Sequence, residues 1–220
     1  MTTTNSEISD DNVISMRLRF QMTLSTKMAP MVTRVESAAA TRRALLDDAA
    51  ELLDSGGPDA VTLREVGART GLSRGAPYRH FANKDALLTA VAAEGWERIG
   101  DRMSALVADT QLLPADKLRA ALLSVIEISR QQPHLYQLMF SAPAGDPTAV
   151  ARAAQRMCDE FTAIVAMIVG AQSAQRCSAL LLTGAHGAAG LESSGLLSND
   201  KWHTTAEELS DSLIAAIAPD

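Results

Sequence analysis

Thr62-Leu63-Arg64-Glu65 reads as a capping box, in which the threonine hydroxyl and the glutamate carboxylate each take an orphan backbone N–H at a helix start. A short helix to about Thr70 comes next, with Leu63, Val66 and Gly67 facing inward. Gly71 supplies the left-handed residue that ends it, and Ser73 caps another short helix reaching about His80. The bend between the two is only a few residues. Pro77 lacks an N–H, but it falls in the opening turn, where at most one hydrogen bond is lost. Asn83 then caps a long helix with Leu87, Leu88, Val91 and Trp96 on one side, ending before Pro114.

Upstream, Leu45, Leu46, Ala49, Leu52 and Leu53 form one helical stripe that stops at Gly56-Gly57-Pro58. Downstream, helices are expected over about 115–131, 133–141, 147–170, 172–194 and 202–217, punctuated by Pro133, Pro143-Ala144-Gly145, Gly170 and Ser198-Asn199-Asp200. Aromatics make up only 4% of the residues and alternating β-branched runs are missing, so the fold class is all-α. Residues 1–38 lack steady periodicity and read as a poorly ordered extension. Within it, Met16 to Met31 carries Arg17, Arg19 and Lys27, which leaves open a basic arm that touches DNA.

Cys158 and Cys177 both lie in apolar, helix-like stretches, which suits a reducing compartment and two small buried hydrophobes better than a disulfide framework. The polar, acidic start is not a secretory signal, and the apolar run Phe161 to Ala171 is too short to span a bilayer. A cytoplasmic protein with no membrane partner is the expectation.

Two short helices joined by a glycine bend and supported by a preceding amphipathic helix form a helix-turn-helix, which sets one helix in a major groove while the other braces on the backbone. The net charge of −6 excludes a protein that coats nucleic acid over its whole surface. Locally the balance reverses: from Arg64 to Lys84 there are five bases (Arg64, Arg69, Arg74, Arg79, Lys84) against one acid (Glu65).

The stretch Thr62 to Leu88, above all Tyr78-Arg79-His80-Phe81 with Asn83-Lys84 and Leu87-Leu88, resembles the signature of the TetR family of bacterial regulators. The resemblance is specific over about residues 41–90. It implies a nine-helix subunit with an N-terminal three-helix helix-turn-helix DNA-binding domain over 39–88. It implies also a C-terminal helical ligand-binding and dimerisation domain over 89–220, and a two-fold dimer on a near-palindromic operator. Farther on, Pro133 to Phe140 and Gly184-Ala185-His186-Gly187 are similar to a subgroup that carries a Trp-His-Gly element, with Ala185 here in place of the Trp.

Carried over position by position, the resemblance puts Ser73, Arg74, Gly75, Ala76 and Arg79 at base edges, with Arg64 reaching the groove from the bracing helix. Arginine suits guanine, because its fork donates to O6 and N7 together. Thr62, Tyr78, His80 and Lys84 would bind phosphates, and Leu72, Pro77 and Phe81 would pack the motif to its core. The expected function is a ligand-responsive repressor bound to a palindromic operator as a homodimer. A dimer without effector, or an activator, are the alternatives within this class.

Gly71-Leu72-Ser73-Arg74-Gly75 also matches G-x-S-x-G, the nucleophile elbow of α/β-hydrolases, with His186 or His203 as base. That mechanism needs a strand leading into the serine, whereas the residues before Gly71 are helical by capping and period. No Cys/His or carboxylate cluster has metal-site spacing and no glycine-rich phosphate loop follows a strand. No metal, no cofactor and no catalysis are expected.

In the C-terminal half His134, Tyr136, Met139, Phe140, Met157, Phe161 and Met167 supply bulky, adaptable groups that either fill the core or line a cavity for a small apolar or amphipathic effector. Leu180, Leu181, Gly184, Ala188 and Leu191 on one late helix, and Leu209, Leu213 and Ile217 on the last, combine apolar and small residues. These two helices are expected to meet their symmetry mates in a four-helix interface.

Overall fold

A computed structural model describes residues 34–197 and 199–217. The basic stretch Met16 to Met31 lies outside the described residues. Among these there are no strands, and the elements in order are α1 (Arg34–Ala60), α2 (Leu63–Arg69), a single 3-10 turn (Pro77–Arg79), α3 (Lys84–Ala108), α4 (Pro114–Gln131), α5 (Pro133–Met139), α6 (Thr148–Val169), α7 (Ala171–Ser193), α8 (Asn199–Trp202) and α9 (Ala206–Ile217).

By contacts the chain falls into two units that meet between Thr41 and Arg42. In the first, the described residues 34–41 are helical and exposed up to Ala40, and the Thr41 hydroxyl donates to the Ser37 carbonyl at 2.8 Å. The second unit contains everything from Arg42 onward. Within it the α1 stripe buries Leu45, Leu46, Ala49 and Leu53, and Leu52 is half-buried. Regular α1 ends at Gly57, whose φ of 70° lies in the left-handed region. Pro58 opens one further turn, closed by the Val61 N–H on the Pro58 carbonyl at 3.2 Å.

The long α3 runs through the centre of the core. Leu87, Leu88, Val91, Ala92, Trp96, Ile99 and Met103 all face inward, in one core with Leu118 and Leu122 of α4, Leu135 of α5 and Phe161 of α6. Each large apolar side chain among them contributes about 1.5–3 kcal/mol when buried. The boundary expected between residues 88 and 89 falls inside α3, which is one unbroken helix.

Helix ends follow local chemistry. Pro114 and Pro133 sit in the first turns of α4 and α5, where a missing N–H costs nothing. Asp146 Oδ1 accepts from the Thr148 N–H at 3.0 Å and the Thr148 hydroxyl at 2.7 Å at the start of α6, which lowers the Asp146 carboxyl below its ordinary range. Gly170, at φ 76°, separates α6 from α7, and the two helices bend by 119°. No single helix among the described residues is long and apolar enough to cross a membrane.

The helix expected over about 202–217 is shorter in the structure: α9 covers Ala206–Ile217, and Trp202 ends the separate α8. His203 adopts φ 52°, and α9 starts afresh behind a full capping box: the Glu208 N–H donates to the Thr205 hydroxyl at 3.2 Å and the Thr205 N–H to the Glu208 carboxylate at 3.0 Å. Arginines tie the late helices down. Arg130 of α4 forks to Glu192 of α7 and Glu207 of α9, both at 2.6 Å, and Arg119 of α4 reaches Asp211 of α9 at 2.6 Å.

Candidate nucleic-acid interface

The head is assembled from its caps. Thr62 Oγ1 accepts from the Glu65 N–H at 3.1 Å to start α2, while the reciprocal carboxylate bond does not form. At the other end the Leu72 N–H bonds to the Gly67 carbonyl at 3.0 Å and the Gly71 N–H to the Ala68 carbonyl at 3.2 Å, with Gly71 at φ 68°. That is a Schellman closure built on the left-handed glycine.

The segment from Ser73 to His80 differs from the expected α-helix. Ser73 makes no side-chain cap, and the backbone closes by three-residue steps instead: Ala76 N–H to Ser73 carbonyl at 2.9 Å, Arg79 to Ala76 at 3.2 Å and His80 to Pro77 at 3.0 Å. The cause is Pro77. An α-turn from Ser73 would need the N–H that proline lacks, and only after Pro77 does a four-residue bond appear, from the Phe81 N–H at 2.9 Å. The second helix of the expected helix-turn-helix is therefore a tight turn plus a 3-10 turn.

Pro77 also locks that element onto α2. A Cβ at Gly67 would lie 2.7 Å from Pro77 Cγ, so only glycine lets the ring settle there. Phe81 is buried at 4% exposure, Leu72 packs half-buried against the core, and Asn83 Oδ1 accepts from the Ala86 N–H at 2.8 Å to launch α3.

Thr62, Arg64, Ser73, Arg74, Gly75, Tyr78 and Arg79 are all exposed, and His80 and Lys84 are partly so. Tyr78, a large ring, is 58% exposed. Ala76 differs: at 3% exposure its methyl packs inward beside Pro77, which removes it from the expected base-edge set. Around Gly75 nothing lies within 4 Å of where a Cβ would be, so backbone approach is open there.

The five bases of the patch are not equivalent. Arg69 folds back to Asp48 at 3.4 Å and to Glu51. Lys84 Nζ stands 4.0 Å from Asp59, an acid in full solvent. Arg64, Arg74 and Arg79 have no carboxylate within ion-pair distance among the described residues. Three uncompensated guanidinium groups on one short, rigid projection can pair with phosphates or base edges. Ser73, the serine of the G-x-S-x-G match, follows helix α2 rather than a strand, so the elbow geometry is not formed at that position.

Beyond the head, the cavity candidates scatter. Met139, Met157 and Phe161 are core, at 3%, 3% and 0% exposure, and Met167 is 43% exposed on the outer side of α6. His134 lies with its ring beside Gly57, whose added Cβ would stand 3.4 Å from Cε1. Tyr136 and Phe140 join a ring cluster that sequence reasoning did not assemble. Phe140 lies 5.0 Å from Trp96, 4.8 Å from Tyr136 and 4.2 Å from His186, centroid to centroid. Tyr136 Oη is 2.6 Å from His186 Nδ1. Burial pushes the Tyr136 phenol up to about 12, so it stays protonated at neutral pH. A pocket of about 70 Å³ opens nearby between α3 and the loop before α6, walled by Leu88, Thr89, Ala92, Leu138, Pro143 and Val150.

The late-helix candidates divide as well. Leu181 and Ala188 are buried within the subunit, and Gly184 takes the Leu213 side chain against its backbone. Leu180 and Leu191 stay exposed at 53% and 43%, and Leu209 and Ile217 are half-buried. Cys158 and Cys177 are free and half-buried, with burial raising the Cys158 thiol.

Two family profiles match this chain: bacterial regulatory proteins, tetR family, over residues 45–91, and tetracyclin repressor-like, C-terminal domain, over residues 118–217. The HTH-type transcriptional repressor Rv1474c of Mycobacterium tuberculosis is 44% identical over 61 residues, 28% of this chain and 33% of that protein. The HTH-type transcriptional repressor Rv3405c of the same organism is 33% identical over 98 residues, 44% of this chain and 47% of that one. The matched part thus spans a third to about half of the length of these curated relatives. Among solved structures, a protein of unknown function from Rhodococcus sp. RHA1 superposes with a TM-score of 0.68 at 24% identity, covering 88% of this chain and all of that one. The SmeT–triclosan complex gives 0.59 at 23% identity over 82% and 93% of the two chains. RolR with resorcinol gives 0.56 at 17% over 84% and 90%.

Proposed function

This chain belongs to the TetR family of bacterial regulatory proteins, and from that premise we propose that it is a ligand-responsive transcriptional repressor that binds a palindromic DNA operator as a homodimer. The observation that carries the reading is the free charge of the head: Arg64, Arg74 and Arg79 stand exposed and unpaired among the described residues on an element fixed by Pro77 against Gly67. In this reading residues 39–88 recognise DNA, and residues 89–220 bind effector and dimerise. Arg74 and Arg79 read base edges beside Ser73 and Gly75, Arg64 enters from the bracing helix, and Thr62, Tyr78, His80 and Lys84 hold phosphates. The protein acts in the cytoplasm and performs no chemistry of its own.

The effector is a small apolar or amphipathic molecule. SmeT and RolR, which share this fold, are seen with triclosan and resorcinol. Here the half-exposed Phe140, flanked by Trp96, Tyr136 and His186, offers an aromatic face with one polar pair. Dimerisation uses the outer sides of α7 and α9, with Leu180 and Leu191 at its centre, Leu209 and Ile217 at its edge, and Leu181, Gly184, Ala188 and Leu213 supporting from within. Effector then favours a separation of the two heads unlike the groove-to-groove spacing of about 34–36 Å.

The test is selection of duplexes from a random-sequence pool by the purified protein, followed by footprinting. An inverted repeat with half-sites about one helical turn apart is expected. Recovery of no enriched sequence contradicts the proposal.

A further inference from the structure

We propose that Arg42, outside the helix-turn-helix itself, is a further phosphate-binding residue of the DNA-reading head. The inference rests on the reading of that head as a DNA interface, and it goes beyond the residues assigned to it above.

Arg42 stands on α1, yet its guanidinium carbon lies 5.2 Å over the centroid of the Phe81 ring. Phe81 lies just past the 3-10 turn, its N–H is bonded to the Pro77 carbonyl at 2.9 Å, and its ring is 6.5 Å from that of His80. The side chain of Arg42 is therefore held at the exit of the reading turn, next to the segment Tyr78 to His80.

Three further observations decide what it can do there. First, Arg42 is exposed, and no carboxylate lies within ion-pair distance of it among the described residues. Its neighbours on the same surface are already engaged: Arg43 with Glu94 at 3.3 Å, and Arg69 with Asp48 and Glu51. Glu94, whose carboxyl is raised chiefly by burial, pairs with Arg43 and not with Arg42. Second, a ring beneath one face of a guanidinium attracts the cation but uses none of its in-plane N–H donors. The Arg42 guanidinium makes no hydrogen bond or ion pair to a described residue, so its donors are available to oxygen acceptors arriving from solvent. Third, a long side chain already ordered on an aromatic ring loses less rotamer freedom when it binds. An exposed, pre-ordered, unpaired guanidinium beside the reading element fits the phosphate edge of a duplex backbone, and its anchorage outside the turn puts it at the rim of the base-reading set.

The test measures binding of the full-length protein to two probes, a duplex enriched by the wild type from a random pool and a shuffled duplex of equal length, from 50 to 200 mM salt. Arg42→Met and Arg42→Gln both remove the charge, and Gln keeps a planar group over Phe81. Each is expected to flatten the slope of log K against log salt by about 1.8, about 0.9 for each of the two subunits on the duplex, so that its affinity loss is about twelvefold larger at 50 mM than at 200 mM. The loss should be the same on both probes, with an unchanged melting temperature, and Arg42→Lys should retain most of the slope. Arg43→Met, which deletes the same charge one residue away, should change the slope by less than half as much. Wild-type slopes for both neutral variants overturn the inference while leaving the DNA-binding reading intact, and an equal loss from Arg43→Met overturns it by reducing it to net charge. Absence of salt-dependent binding by the wild type overturns the inference together with the reading beneath it.

Discussion

Arginine does opposite work in the two halves of this molecule. In the C-terminal half Arg119, Arg130 and Arg156 close on carboxylates at 2.6–2.7 Å and join α4 to α7 and α9 and α3 to α6. In the head Arg64, Arg74 and Arg79 project from α2 and the reading turn with no acid in reach among the described residues. The residue type is the same, and both sets reach solvent. What separates them is whether the fold brings an Asp or Glu from a distant helix, which converts a recognition group into a brace.

The comparison can be broken most sharply at Arg74. Arg74→Ala is expected to weaken operator binding by about 1–3 kcal/mol and relax one base position while leaving the melting temperature unchanged, measured by titration against single-base operator variants. A stability loss without an affinity loss would place Arg74 with the braces.

Gly67→Ala tests the mounting of the head rather than its charge. The added methyl meets Pro77 Cγ at 2.7 Å, so about 1–2 kcal/mol of stability should go, at the lower end of overpacking costs. Operator affinity should fall with it because the reading turn must shift. Pro77→Ala removes the clash, so the double mutant should lose less than the sum of the two singles in denaturant titrations.

On the bracing side, Arg130→Met should cost about 1 kcal/mol, at the upper limit for solvent-screened pairs, with operator contacts unaffected in footprints at saturating protein. Its pH signature carries a definite sign. Arg130 holds the Glu207 carboxyl at about 2, below its ordinary 4.5, so the folded state favours the ionised form. The stabilisation is fully present above the ordinary value and is lost as pH falls from about 4.5 toward 2. Unfolding midpoints of wild type and Arg130→Met should therefore converge in acid; a difference that widens there would contradict the assignment. The smallest effect belongs to Lys84→Ala, which should weaken every duplex alike by about 0.5 kcal/mol, since a lone phosphate contact carries no sequence information.

Elements are legible in the sequence wherever local chemistry decides them. Thr62, Gly71, Asn83, Gly57 and Gly170 act within a few residues of themselves, and the stripes Leu45 to Leu53 and Leu87 to Trp96 need only helical periodicity. Two departures from the expected helices are also local. Pro77 removes one of the four-residue bonds that an α-helix over Ser73 to His80 would make. Thr205-Ala206-Glu207-Glu208 is a capping box in plain view, and it starts α9 afresh behind the break at His203.

The remaining differences are not local. Which arginines are free depends on Asp48, Glu94, Glu192 and Asp211, none of them near in sequence to the arginine it meets. The inward turn of Ala76 and the exposure of Met167 follow from how the helices seat, which a linear pattern does not encode. The cluster of Trp96, Phe140, Tyr136 and His186 draws on three helices and the C-cap of α5, and only Tyr136 and Phe140 stand out in the sequence as bulky groups of one segment.

The most direct test of the central claim is the affinity of the wild-type protein for its selected duplex relative to a shuffled one at about 150 mM salt. Free, rigidly mounted arginines at base edges predict a preference of about a thousandfold or more. Equal affinity for the two duplexes would show that the head attracts phosphates without reading sequence, and would contradict the account.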